Sequence, residues 1–232
     1  MTVIQTKQVK KYYQVGEGMI RAVDGIDLKV KKGEFVTISG RSGSGKSTLL
    51  SLLAGLERPT DGEVILLGEH INRMNEQQRS SFRRDHIGFV FQSYNLLPQY
   101  NAWENVALPL EIRGVALKKR KERAMEVLDL VGLKSHAQHL PTELSGGQQQ
   151  RIGIARAIIT RPEIVFADEP TGNLDTKTGK EIMELLERIF RRWNTTFLLV
   201  SHDEEMSLYT NREICLRDGQ IEKIMLSRED LR

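Results

Sequence analysis

Gly40-Arg41-Ser42-Gly43-Ser44-Gly45-Lys46-Ser47 fits the phosphate-loop pattern G-x-x-x-x-G-K-[ST] at every position. An apolar run, Phe35-Val36-Thr37-Ile38, precedes it, and a second, Leu49 to Ala54, follows. The order is strand, glycine loop, helix, which is the setting the motif requires. Gly40, Gly43 and Gly45 let the backbone turn its N–H groups inward around phosphate oxygens. The new helix adds the positive end of its dipole. Lys46 reaches the outer phosphates as a point charge, and the Ser47 hydroxyl is a ligand for Mg²⁺.

Downstream the chain alternates strictly. Glu163 to Ala167 reads as a strand, Thr178 to Arg191 as a helix, Thr195 to Val200 as a strand, and Asp203 to Leu208 as a short helix. Ile214 to Leu216 and Gln220 to Ile224 form a closing hairpin around Asp218-Gly219. Upstream the pattern is different. Val3 to Tyr13, Ile20 to Val23, Ile26 to Val30 and Glu63 to Gly68 read as separate strands joined by turns, an antiparallel subdomain. Ile87 to Phe91 is a buried strand, and Ser93 to Pro109, with its two prolines, reads as loop with a short helix. Helices are expected at Glu122 to Val131 and from about Gly147 to Thr160. The expected class is α/β: a mostly parallel core from 1–92 and 161–232, with an antiparallel β-subdomain and a helical subdomain inserted over about 93–160.

Composition narrows the class. The 232 residues suit one domain, and 39% hydrophobic content suffices for a core. With 34 basic and 31 acidic residues the net charge is only +3, which argues against a nucleic-acid binder. The charge run Lys118 to Lys121 reads as a solvated helix face. Cys215 is the single cysteine, so no internal disulfide forms and a reducing compartment is expected. The first residues lack a signal-peptide pattern, and no apolar stretch approaches the ~18 residues of a membrane helix.

Two more segments carry chemistry. Ile164 to Ala167 is an apolar run ending in Asp168-Glu169. A strand lying beside the phosphate loop would deliver Asp168 to a Mg²⁺ shell and leave Glu169 to orient or deprotonate a water. Leu144-Ser145-Gly146-Gly147-Gln148 opens a helix, with Ser145 as N-cap and two glycines exposing backbone N–H groups to an anion.

In this order the motifs resemble an ABC-type ATPase subunit. The phosphate loop, Gln92, the Leu-Ser-Gly-Gly-Gln signature, Asp168-Glu169, Asn173-Leu174-Asp175 and His202 span nearly the whole chain. Phe91 to Pro98, Glu104 to Leu110 and Pro170 to Asp175 are similar to the branch of macrolide exporters, lipoprotein-release systems and cell-division relatives. The resemblance implies ATP and Mg²⁺ as cofactors. The nucleotide contacts it implies are Gly40, Arg41, Ser42, Gly43, Ser44, Gly45, Lys46, Ser47 and Thr48, with Tyr13 stacked on adenine. Tyr12 faces the other way on the same strand. Ser47, Gln92 and Asp168 would hold the metal. Glu169, His202, Lys46 and Gln92 would act on the γ-phosphate and its attacking water.

The resemblance also implies a head-to-tail homodimer in which Ser145, Gly146, Gly147, Gln148 and Asp175 of one copy close over the ATP of the other. A separate integral membrane permease would hold that dimer at the inner face of the cell membrane, on the cytoplasmic side, for export or mechanical work. A soluble ABC ATPase acting on DNA or ribosomes, or a regulatory switch without transport, is the alternative. Ser93 to Pro109 is the expected docking surface; Trp103 within it is read as either a partner contact or a subdomain core residue. His136 and His139 lie close in sequence without a third metal ligand.

Overall fold

The computed structural model describes residues 1–226; residues 227–232, which end the expected core segment, lie outside it. Two sheets form the frame. β1 (Thr2–Val15), β2 (Gly18–Lys31), β4 (Asp61–Leu66) and β5 (Glu69–His70) make an antiparallel sheet in the order β2-β1-β4-β5. β3 (Phe35–Ser39), β6 (Ile87–Val90), β7 (Ile164–Asp168), β8 (Thr196–Val200), β9 (Arg212–Arg217) and β10 (Gln220–Leu226) make the second, ordered β10-β9-β3-β8-β7-β6. Its inner pairs are parallel, and β10 joins antiparallel at the edge.

The parallel strands are apolar along their length because both faces are covered. Alternate side chains go to opposite sides. Val36, Ile38, Phe166, Leu198 and Val200 pack toward α1 (Lys46–Leu53) and the antiparallel sheet. Phe35, Val165, Ala167, Phe197 and Leu199 pack with α6 (Thr176–Trp193) and the other helices. α6 turns Ile182, Leu185, Leu186 and Ile189 to that core, the stripe expected of a 3.6-residue period.

α2 (Glu76–His86) precedes β6. α3 (Ala102–Ile112), α4 (Leu117–Leu130) and α5 (Gly146–Ile158) then fall between the paired strands β6 and β7. They pack on one another through Trp103, Val106, Ala124, Val127, Leu128, Ile152 and Ala155.

Two expectations change, and Trp103 takes one of its two readings. The segments 20–23 and 26–30 are one strand, β2, because Gly25 takes φ 78° and absorbs a bulge opposite β1 without ending the ladder. The stretch before Pro109 is an 11-residue helix with the proline inside it. Asn101 caps that helix in a reciprocal box with Glu104. The buried Asn105 side chain donates to the carbonyls of Leu97, Tyr100 and Asn101 and accepts from the Leu97 N–H, so loop and helix fold as one unit. Trp103 belongs to the core: it is only 9% exposed, and Lys121 Nζ sits 5.2 Å from its ring centroid.

Candidate nucleotide site

The phosphate loop leaves β3 and enters α1 with its glycines fitted against backbone. A Cβ on Gly45 would come within 2.0 Å of the Ala22 carbonyl, and one on Gly40 within 2.4 Å of the Leu216 carbonyl. Both positions also take left-handed φ, 96° and 148°. β2 and β9 thus hold the loop from two sides. Gly45 is also the N-cap of α1 and offers no side-chain cap, so the first N–H groups of that helix remain for a ligand. Lys46 Nζ donates to the carbonyls of Gly40 (2.8 Å) and Arg41 (3.0 Å), which centres its ammonium on the loop. Ser44 Oγ is buried without a hydrogen-bond partner among the described residues. A basic, N–H-lined cradle with a spare hydroxyl fits a polyphosphate chain.

Ser47, Thr48, Ala22, Ser42, Gly43, Lys46, Glu169 and His202 enclose a cleft of about 510 Å³. The acidic pair does not lie on the sheet neighbour of β3, as a strand beside the loop would suggest. β8 stands between β3 and β7. Asp168 still reaches across: Ser47 Oγ donates to its Oδ1 at 3.2 Å. Burial pushes the Asp168 carboxyl above its ordinary range, partly offset by the Ser47 bond, while the charge of Glu169 pushes the same way as burial. A carboxylate that is costly to keep charged beside a serine hydroxyl is a hard-oxygen donor set of the kind Mg²⁺ uses.

Glu169 stands at φ 43°, its N–H bonded to the Val200 carbonyl. That turn takes its side chain away from Asp168 and toward His202, whose Nδ1 lies 3.3 Å from Glu169 Oε1. Gln92 follows β6; its carbonyl accepts from Asn173 Nδ2 at 3.1 Å. A Cβ on Gly172 would sit 2.7 Å from Gln92 Nε2 and 3.2 Å from Glu169 Oε2. Glycine at 172 therefore leaves the room in which the Gln92 amide and the Glu169 carboxylate approach one another. Tyr13 and Tyr12 part as expected: the Tyr13 hydroxyl donates to Glu57 Oε2 at 2.7 Å, and the Tyr12 hydroxyl donates to Asp24.

The signature segment is elsewhere. Ser145 caps α5 in a reciprocal box with Gln148, by Ser145 N–H to Gln148 Oε1 (2.9 Å) and Gln148 N–H to Ser145 Oγ (3.3 Å). Gly147 packs on the methyl of Thr178, in the first turn of α6, whose N-cap is Asp175. Bonds from the Thr178 N–H and hydroxyl hold the Asp175 carboxyl below its usual range. Of Ser145 to Gln148, none lines the cleft beside Lys46.

Sequence reading passed over Arg156. Its guanidinium donates to the carbonyls of Asn95 (2.5 Å) and Tyr94 (2.8 Å), two residues in left-handed φ just after Gln92. Burial lowers its pKa. Nothing in a polar helix pattern marks one arginine as turned inward; its partners are main-chain atoms.

The comparisons agree with this geometry. The family model described as ABC transporter matches residues 23–172. An uncharacterized ABC transporter ATP-binding protein of Thermotoga maritima is 49% identical over 222 residues, covering 96% of this chain and 94% of that protein. The lipoprotein-releasing system ATP-binding protein LolD of Bacteroides fragilis is 45% identical, covering 88% and 94%. The solved dimeric, post-hydrolysis state of the ATP-binding cassette MJ0796 of Methanocaldococcus jannaschii, bound to ADP and Pi, superposes with a TM-score of 0.91 at 42% identity, covering 97% of this chain and 99% of that one. With its phosphate loop, acidic strand end and signature helix in place, the chain belongs to the ABC transporter family, as an ATP-binding and ATP-hydrolysing subunit.

Proposed function

We propose that the chain works as a head-to-tail homodimer that closes over two ATP molecules and docks on a separate membrane permease, driving export or mechanical work. The observation that carries this reading is the separation of the two halves of the site. The cleft beside Lys46 has a loop, an acid and a histidine, but no residue of Ser145 to Gln148. The signature helix N-terminus, a second set of anion-seeking N–H groups, is fully formed away from it. A second copy turned head to tail supplies the missing half. The solved relative MJ0796 is dimeric, which supports the same arrangement.

In this reading Gly40 to Thr48 hold the triphosphate and Tyr13 carries the adenine. Ser47, Gln92 and Asp168 would hold Mg²⁺, which would neutralise charge on the phosphate oxygens. Glu169 orients the attacking water and takes its proton, and His202 keeps Glu169 in line. Asp175 lies at the same dimer surface. No helix among the described residues is long and apolar enough to cross a membrane. In this reading a separate permease holds the dimer at the cytoplasmic face. The loop between Gln92 and Asn101, fixed by Asn105 and Arg156, is the docking surface. The names of relatives such as LolD favour the branch that exports or releases cargo.

The test is complementation. Lys46→Ala and Ser145→Arg each abolish turnover alone. Mixed in equal amounts, they restore about a quarter of wild-type activity, because half the dimers are mixed and each mixed dimer contains one intact composite site. No activity on mixing, with both proteins folded, overturns the dimer reading.

A further inference from the structure

The Tyr13 hydroxyl is tied down in a way that adenine stacking does not require. It donates to Glu57 Oε2 at 2.7 Å, and the Thr48 side chain stands beside it. Burial, then the Glu57 bond, push the phenol above its ordinary pKa, so it stays a donor. Glu57 is itself held. Lys11 Nζ lies 3.1 Å from the same Oε2 and donates to the Arg58 carbonyl at 2.9 Å. That ammonium also stands 5.1 Å from the centroid of the Tyr13 ring. Lys11 is 17% exposed in its side chain, so the cation is largely desolvated and its attraction to the ring face is strengthened.

These contacts join three pieces of chain. Tyr13 and Lys11 come from β1. Thr48 comes from the first turn of α1 and lines the nucleotide cleft; Glu57 comes from the loop after α1. A tyrosine near the end of a hairpin normally keeps rotamer freedom, which a ligand must quench on binding. Here the tip of the ring is held by Glu57, and Lys11 covers one face. A purine then has one face to stack on, at a tilt set relative to the phosphate loop by Thr48.

We propose that Glu57 is a positioning residue for nucleotide binding, acting through the Tyr13 hydroxyl, with Lys11 holding Glu57 in place. This rests on the reading of Tyr13 as the adenine platform. The device preorganises the base site, so its loss raises KM for ATP and leaves kcat alone.

The experiment measures KM and kcat for ATP, together with competitive inhibition by inorganic tripolyphosphate, which has no base. Glu57→Ala is expected to raise KM about 3- to 10-fold, the range of one lost hydrogen bond, with kcat unchanged. Tripolyphosphate inhibition stays at the wild-type value. Glu57→Gln, which keeps an acceptor for the hydroxyl, recovers most of the loss. Tyr13→Phe matches Glu57→Ala, and the double variant is no worse than either, since both remove one contact. Tyr13→Ala separates the two ideas. If it leaves KM unchanged, Tyr13 is not the platform and both fall. If it raises KM while Glu57→Ala does not, or if Glu57→Ala weakens tripolyphosphate equally, the positioning role alone is wrong.

Discussion

The phosphate loop is pressed on by backbone: added methyl groups at Gly40 or Gly45 would collide with the carbonyls of Leu216 and Ala22. The signature segment is finished by its own side chains, Ser145 and Gln148 bonding each other's N–H groups, and a Cβ on Gly147 would meet a threonine side chain, not main chain. One region takes its shape from two sheets that cannot move apart. The other takes it from a local cap on a helix of the insert. In the proposed head-to-tail dimer the first would be a cradle fixed by backbone and the second a locally capped lid.

The sharpest way to break this contrast is to add one methyl group to each half. Gly45→Ala forces a Cβ into main chain at a left-handed φ, and is expected to cost about 2–4 kcal/mol, lowering Tm by roughly 10 °C, with nucleotide binding lost. Calorimetry with and without ATP checks it. Gly147→Ala meets a threonine methyl and not main chain, on a helix that gains from alanine, so Tm is expected to fall much less than in Gly45→Ala. The methyl group instead displaces the helix start from Thr178, and turnover is expected to fall about tenfold, while ATP binding to the single subunit stays within twofold. Equal loss of stability in the two variants would refute the contrast.

Asp168 carries a stability effect of the opposite sign. Its folded pKa is raised, so at neutral pH the folded state holds a charge that the unfolded chain carries more easily. The ionised group lowers stability there, and the penalty fades as pH falls toward the raised value. Asp168→Asn keeps an acceptor for Ser47 and is expected to raise Tm by a few degrees at pH 7 while turnover collapses. The gap in Tm should narrow on the acid side.

Much of this molecule was readable from sequence where chemistry and local structure coincide. The loop at Gly40 to Ser47, the carboxylates closing β7 and the Ser145 cap each declare themselves by residue type and neighbours. What stayed hidden depended on pairing between distant strands or on main-chain acceptors. That β8 separates β3 from β7 is a matter of sheet order, which no strand's own pattern contains. Pro109 reads as a breaker because the four bonds of Asn105 that bind the preceding loop to its helix involve main-chain atoms. Arg156 and Glu57 look like surface charges for the same reason: their partners lie about 60 and 44 residues away.

The placing of β8 has one more consequence. Glu169 hangs on its last carbonyl, Ser201 just beyond it bonds to the end of β3, and His202 follows directly. The reach from phosphate-binding loop to acid is therefore one strand's width, fixed by a single buried ladder on each side. None of α3, α4 and α5 forms part of that yardstick. Descendants of such a protein could trade or lengthen the insert without changing the spacing of loop and acid, whereas a one-residue slip in β8 would shift Glu169 and His202 against the phosphate loop at once.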